Sequence, residues 1–376
     1  MKVEFYRHNI SSREISDLNN TLRSLFLTTG KVTEKFENDF SKYLKREYAA
    51  GVTSCTAALH LSLYALGIKS GDEVITTPLS FYATANAILY VGAKPVFVDI
   101  EEDTGLIDPR LIEKAITSKT KAIIPVHMYG QMCDMKKIFQ IAGRHKLKII
   151  EDAAICVEGG RDGISPGKLS DTACFSFHAI KSITSGEGGA IITDNKILAD
   201  KLKFMRLHGM GRTVVDRYKD KLKKQDMLML GFKYNMYDLQ ASLLLNQLNN
   251  IDVLYKKREK LYVRYLNGFK GNKNVKVPVT RKNSKNSFSL FTIFVDPRKR
   301  DEYLVKLQER GIGVDVKYRT IHLSTYYRKK FGYKEGDYPI AESLSDATIT
   351  LPLYPKLKSS EVDFVIKHVN QITKNR

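Results

Sequence analysis

A lysine that is to react as an amine needs a sharp backbone turn to present it and neighbours small enough to admit a ligand. The segment Ser176-Phe177-His178-Ala179-Ile180-Lys181-Ser182-Ile183-Thr184-Ser185-Gly186-Glu187-Gly188-Gly189 has that composition, just after the apolar run Ala173-Cys174-Phe175. It suits an amine that reaches a cofactor aldehyde while its own backbone turns. Read alone, it equally describes a surface lysine in a glycine turn. The glycine spacing fits neither a phosphate-binding P-loop nor a dinucleotide fingerprint. Twenty-nine residues upstream, Glu151-Asp152-Ala153-Ala154 closes a strand. An aspartate there, followed by two alanines, leaves room for a flat ring and would keep a pyridine nitrogen protonated. The alternative is a helix or turn cap. A third element, Gly51-Val52-Thr53-Ser54-Cys55-Thr56-Ala57-Ala58-Leu59, runs small hydroxylated residues into a helix. Its free N–H groups could hold a phosphate, or simply begin an ordinary capped helix.

The elements that position these residues follow an alternating pattern typical of an α/β sheet. Helical spacing is read over 57–66, 84–91, 111–116 and 135–145. Strands are read over 73–76, 95–99, 122–126 and 148–152. These strands are almost wholly apolar and end in polar residues, as in a sheet covered on both faces. Their ends, Asp99, His127 and Asp152, are where ligands are expected. His127 reads as a structural or wall residue rather than a base. A helix over 198–207 precedes a polar, basic segment, 211–225, read as a mobile excursion from the core. One long helix is expected over 238–269 and a linker over 270–286. A strand at 287–295, a helix at 298–310, a strand at 313–318 and a helix at 359–372 then outline a small α+β unit. The expected division is a large domain, residues 1–250, and a small domain, 251–376.

The chain has 376 residues and carries 61 Lys+Arg against 41 Asp+Glu, a formal charge of +20. That excess raises nucleic acid, an acidic membrane face and anionic small substrates as partners. No helix-turn-helix or basic-aromatic platform supports nucleic acid. Basic stretches at 217–224, 256–260 and 282–285 read as solvated faces. Apolar runs are far shorter than the ~20 residues of a membrane span. The N-terminus turns polar too soon for a secretory signal, so a cytoplasmic protein is expected. Four cysteines with no CxxC pair and no histidine at metal-ligand spacing argue against a disulfide or zinc framework, so reduced thiols and no metal site are expected.

The three elements, with Asp72-Glu73-Val74-Ile75-Thr76 and Pro125-Val126-His127-Met128-Tyr129-Gly130, closely resemble the DegT/DnrJ/EryC1/StrS family of sugar aminotransferases, which use pyridoxal phosphate. The likeness runs from Leu27-Thr28-Thr29-Gly30 to Leu351-Pro352-Leu353-Tyr354-Pro355. Ser-Phe-His-Ala-Ile-Lys, Gly231-Phe232-Lys233-Tyr234-Asn235-Met236 and Arg310-Gly311-Ile312-Gly313 look most like the branch that aminates a UDP-linked 4-keto-pentose. The resemblance implies the aspartate-aminotransferase fold (fold type I), a mostly parallel central sheet with a small α+β C-terminal domain, and a homodimer sharing its active sites. It implies that Lys181 carries the cofactor as a Schiff base, Asp152 pairs with the pyridine nitrogen and Phe81 stacks on the ring. Ser54, Cys55, Thr56 and Ser176 would hold the phosphate, with Lys233 or Asn235 reaching in from the partner.

The implied reaction moves nitrogen from L-glutamate, leaving 2-oxoglutarate, to a keto carbon, C4, of a nucleotide-linked deoxysugar. His178 would help aim Lys181. Arg212, and the basic-aromatic group Tyr318, Arg319, His322 and Tyr326-Tyr327, would contact the sugar diphosphate; the latter group equally suits a packed helix. Ile155 stands where the family commonly has Gln or His, so it cannot donate to the ring hydroxyl. Lysine at 181 argues against the family's dehydratase variants. A dehydratase, a cyclitol aminotransferase and a basic regulatory protein on this scaffold are the rival readings.

Overall fold

The computed structural model describes residues 1–210 and 226–374. Seven strands form the central sheet: β1 (Tyr48–Val52), β2 (Glu73–Thr76), β3 (Lys94–Phe97), β4 (Thr120–Ile123), β5 (Lys148–Asp152), β7 (Thr172–Ser176) and β8 (Gly189–Thr193). Their spatial order is β1-β8-β7-β5-β4-β2-β3. All neighbours are parallel except β8, which runs antiparallel to β1 and β7. β8 therefore begins at the edge where β1 and β7 end, and that reversal brings three loops together.

The helix Cys55–Ala65 explains why these strands are apolar. All its residues but Thr56 and Tyr64 are buried, and a helix apolar all round belongs inside. It packs across β5, β7 and β8. The helix Met135–His145 is amphipathic instead: the Asp134 carboxylate accepts from the Lys137 N–H, and Lys146 ends the helix in a left-handed conformation.

A second sheet pairs β10 (Phe291–Phe294) with β11 (Thr348–Leu351), antiparallel. Around it lies a separate core that includes Tyr262, Tyr265, Phe291, Leu307, Val365 and Val369. Val3 joins this core, because its N–H and C=O pair with Gly311 and Gly313. The N-terminal strap thus lies on the small sheet's side of the molecule.

Four expectations change. The single helix over 238–269 is two, Asp238–Asn249 and Ile251–Phe269, broken at Asn250 (φ −105°, ψ 13°). Its side chain donates back to the Asn246 carbonyl, a local bond that competes with helix continuation. The strand over 313–318 reduces to one bridge, Asp315 to Thr350, because Gly313 is tied to Val3 instead. A Cβ at Gly313 would lie 2.4 Å from the Phe5 nitrogen. The strand at 287–295 is confined to β10. The linker contains β9 (Ser284–Lys285), which pairs with β6 (Gly160–Arg161).

Candidate active site

The register of the sheet lines up the sequence-nominated residues. Gly189 lies opposite Val52 on β1 and opposite Ser176 on β7, while Asp152 lies opposite Cys174. A Cβ on Gly189 would fall 2.5 Å from the Ser54 carbonyl carbon. Only glycine lets β8 start this close to the loop that opens the helix. Ser54 caps that helix, its Oγ accepting from the Ala57 N–H at 3.1 Å. The amides of Cys55 and Thr56, first and second in the helix, have no acceptor within it. With the Ser54 and Thr56 hydroxyls they form an anion cradle at a helix N-terminus. Ser176 is buried beside it, and its Oγ accepts from the His178 N–H at 3.4 Å.

Asp152 is 6% exposed. Its carboxylate accepts from the Thr84 hydroxyl at 2.7 Å and the Ala154 N–H at 3.2 Å. Burial pushes the carboxyl up from its ordinary value, and those two donors together with the charge of Lys181 only partly offset it. No Lys, Arg or His among the described residues forms an ion pair with it. A buried carboxylate held this way calls for a cationic donor. A protonated ring nitrogen would supply one.

Lys181 sits on a tight turn. Its N–H donates to the His178 carbonyl at 2.9 Å, and the Ser185 N–H returns to Phe177 at 3.0 Å. Thr184 locks the turn, donating to the Phe177 carbonyl while its own N–H meets Gln247. Burial lowers the amine's pKa, opposed by Cys55, Asp152 and Glu187 and reinforced by Lys317. His178 accepts from the Ile180 N–H through Nδ1 and turns Nε2 toward Glu187 at 3.6 Å. That arrangement fits a role in shaping the turn.

Phe81 caps the helix Tyr82–Tyr90, whose first turn carries Thr84. Its ring is 58% exposed, 6.2 Å from that of Tyr318. The pairing follows from a bridge between Leu79 and Thr320. The crevice beside Lys181 is also lined by Tyr6, Arg7 and Asn9 of the strap and by Arg258.

Other nominated residues lie elsewhere. His322 is not a substrate contact: it is fully buried among Phe97, Tyr333 and Tyr338, with Nε2 2.9 Å from Glu342. Tyr327 is packed too, donating to Asn86 at 2.7 Å. Asn235 is buried and donates to Thr29 at 2.8 Å, so it does not reach outward; Lys233, two residues earlier, is exposed. Asp99 caps the helix Pro339–Ala347 through the Ile340 and Ala341 N–H groups. His127 is bound to Glu151. Arg212 and the excursion 211–225 lie outside the described residues. A cavity of about 1360 Å³ elsewhere in the molecule holds none of the nominated residues. Its acids are mostly engaged, Glu101 and Asp103 by Arg281 and Asp108 by Arg110.

Sequence reasoning passed over Thr84, Lys317 and the strap. Thr84 carried a signal, a hydroxyl in an otherwise apolar helical stretch, but its partner is 68 residues away. Lys317 was visible beside Tyr318.

A half-buried lysine, an under-paired carboxylate and an anion cradle at the ends of a mostly parallel sheet define a fold-type-I, pyridoxal-phosphate-dependent aminotransferase. The donor set matches that cofactor's aldehyde, ring nitrogen and phosphate. The chain belongs to the DegT/DnrJ/EryC1/StrS aminotransferase family, whose model matches residues 8–370. It is 41% identical to the spore coat polysaccharide biosynthesis protein SpsC of Bacillus subtilis, over 97% of this chain and 95% of SpsC. The putative sugar aminotransferase Spr1654 of Streptococcus pneumoniae, in its PMP form, superposes with a TM-score of 0.94 and 31% identity, covering 99% of each chain. Helicobacter pylori PseC, an aminotransferase of pseudoaminic acid biosynthesis, gives 0.93 and 29% over 100% of each.

Proposed function

We propose that this aminotransferase moves nitrogen from L-glutamate to the C4 keto carbon of a nucleotide-linked deoxysugar. The observation that carries the reading is the half-buried Lys181 and the buried Asp152 carboxyl, each shifted by burial toward its uncharged form, beside the cradle at Ser54-Cys55-Thr56. When bound, pyridoxal phosphate supplies an aldehyde that exchanges nitrogen and an electron-withdrawing ring that stabilises negative charge at a substrate carbon.

This chain's residues then have distinct tasks. The Cys55 and Thr56 amides, with the Ser54, Thr56 and Ser176 hydroxyls, would anchor the phosphate. Asp152, aimed by Thr84 and Ala154, would hold a proton on the ring nitrogen, and Phe81 would cover a ring face. Lys181 would tether the cofactor and, once released, carry the proton to and from the substrate carbon. Burial favours its uncharged form, the form a base needs near neutral pH.

A sugar acceptor is supported by the likeness to SpsC, Spr1654 and PseC. The nucleotide linkage and C4 rest on the likeness to the 4-keto-pentose branch, and a diphosphate would find Arg7 lining the crevice. Exposed Leu25, Leu27, Leu228 and Leu230 support a homodimer in which Lys233 reaches the partner's site. The separate core around β10 and β11 supports division into residues 1–250 and 251–376. A cytoplasmic setting suits glutamate and sugar nucleotides; among the described residues no helix is long and apolar enough to cross a membrane.

The test incubates protein loaded with pyridoxal phosphate with glutamate, then assays 2-oxoglutarate release against UDP-, dTDP- and GDP-linked 3-keto and 4-keto sugars. We expect a shift to the pyridoxamine spectrum and fastest turnover with a UDP-linked 4-keto sugar. No spectral response to glutamate would overturn the reading in favour of a dehydratase.

A further inference from the structure

The crevice beside Lys181 is lined by three basic residues, Arg7, Lys181 and Arg258, and by no Asp or Glu. Arg258 comes from the helix Ile251–Phe269 and is 2% exposed. Its guanidinium is only partly used. Nε donates to the Phe288 carbonyl at 3.1 Å and Nη2 to Glu158 Oε1, whereas Nη1 is buried with no acceptor among the described residues. Two phenols on the same crevice share that state. The hydroxyls of Tyr6 and Tyr354 are buried without a partner among the described residues, on rings packed edge to face 6.4 Å apart. Burial pushes both phenols up, Tyr354 to about 12, so each keeps a proton to donate.

Size and chemistry together narrow the ligand. The crevice measures about 10 Å³, the room of one water-sized atom. A diphosphate can meet the exposed Arg7 at its rim but is too large to enter. A water would also have to donate, and the lining offers no carboxylate to receive its protons; a carboxylate oxygen only accepts. We propose that this crevice binds a carboxylate of the amino donor, one oxygen accepting from Arg258 Nη1 and from the Tyr6 and Tyr354 hydroxyls. The proposal rests on the assignment of Lys181 above, because that lysine is part of the lining and the α-carboxylate is one carbon from the nitrogen being moved.

The walls that carry these donors are fixed. Glu158, which holds Arg258, also accepts from the Ser182 hydroxyl at 3.4 Å, so the guanidinium and the Lys181 turn share one anchor. The strap is tied on both sides of Tyr6, at Val3 by Gly311 and Gly313 and at the Ile10 carbonyl by Lys356 at 3.1 Å.

The experiment compares the unmodified protein with Tyr354→Phe, Tyr6→Phe and the double variant Glu158→Gln/Arg258→Met, which removes the guanidinium without stranding its partner's charge. One readout is the KM for glutamate in the spectral change of protein loaded with pyridoxal phosphate, set against the KM for a UDP-linked 4-keto sugar. The other is the Kd for 2-oxoglutarate, by calorimetric titration of protein carrying pyridoxamine phosphate. Loss of either phenol should raise the glutamate KM and the 2-oxoglutarate Kd about 10-fold, and loss of the guanidinium about 100-fold, as for hydrogen bonds to a charged group. The KM for the sugar should rise far less in each variant.

The proposal is overturned if both Tyr→Phe variants keep the unmodified Kd, the result expected of a crevice that takes only water. It is also overturned if the unmodified protein does not bind 2-oxoglutarate, or if the KM for the sugar rises as much as that for glutamate, the mark of a general packing defect. Absence of any spectral response to glutamate in the unmodified protein would overturn the glutamate reading above; the titration then still decides, since weaker binding in the same order of variants keeps the carboxylate site and unchanged binding removes it.

Discussion

Glu151 and Asp152 are consecutive on β5, both carboxylates and both buried, yet their surroundings differ. Glu151 is saturated: it accepts from the Gly167 N–H at 2.9 Å and the Ser170 hydroxyl at 2.6 Å, and meets His127 Nε2 at 2.7 Å. His127 Nδ1 accepts from the Cys133 N–H at 3.3 Å, so the proton of the neutral ring lies on Nε2 and is donated to Glu151. Asp152 points to the other face of the sheet, as adjacent strand residues must. It receives one hydroxyl and one amide and has no ion-pair partner among the described residues. One carboxylate is tied into the scaffold; the other, among the described residues, keeps room for a further donor.

The sharpest way to break that contrast is exchange at the two positions. Asp152→Asn should cut turnover by about 10³-fold, comparable to losing a preorganised electrostatic partner, while the protein stays folded. Glu151→Ala should do the reverse. It strands the donors of Gly167, Ser170 and His127 in the core, at roughly 1–3 kcal/mol for each group left unpaired; thermal unfolding should show a loss of about 3 kcal/mol or more, with any folded fraction retaining the cofactor spectrum.

A smaller effect separates the two by pH. Burial raises the Asp152 carboxyl above its unfolded value, so the cost of ionising it in the folded cofactor-free protein is absent below about pH 4, the ordinary range for Asp. That cost grows as pH rises through the folded value. The stability of Asp152→Asn relative to the unmodified protein should therefore improve from pH 4 to pH 7, measured by denaturant unfolding. Loading pyridoxal phosphate should reduce or reverse that advantage. A gap independent of pH would mean Asp152 is as well satisfied as Glu151. Smallest is Thr84→Val, which removes one of the two donors to Asp152 and should cost about 10-fold in turnover, near the net value of a hydrogen bond to a charged group.

The same pair shows how far sequence carries. That Asp152 ends a buried strand was legible from Ile149-Ile150-Glu151-Asp152 and the alanines after it, whereas the glycine-rich setting of Lys181 left a surface lysine equally open and its proposed role rests on the family resemblance. The cradle, too, was readable from Ser54 onward, although the need for glycine at 189 comes from register with β1 and could not be counted along the chain. His322 and Asn235 misled because residue type says nothing of facing. Each is polar and near a motif, but each is buried, His322 Nε2 against Glu342 and the Asn235 amide donating to Thr29. Asp99 was misplaced for a related reason, since its strand end is closed by a helix 240 residues on. Thr84 and Lys317 depend on partners brought in by tertiary folding, the first through β5 and the second through the Leu79–Thr320 bridge.

The central claim is that Lys181 is the amine that holds the cofactor. Borohydride reduction of protein loaded with pyridoxal phosphate, followed by peptide mapping, tests it in one step. The account predicts a single pyridoxyl group on Lys181, in the segment between Ser176 and Gly189. A pyridoxyl group on Lys233 or Lys317 instead, or no stable attachment at all, would contradict it.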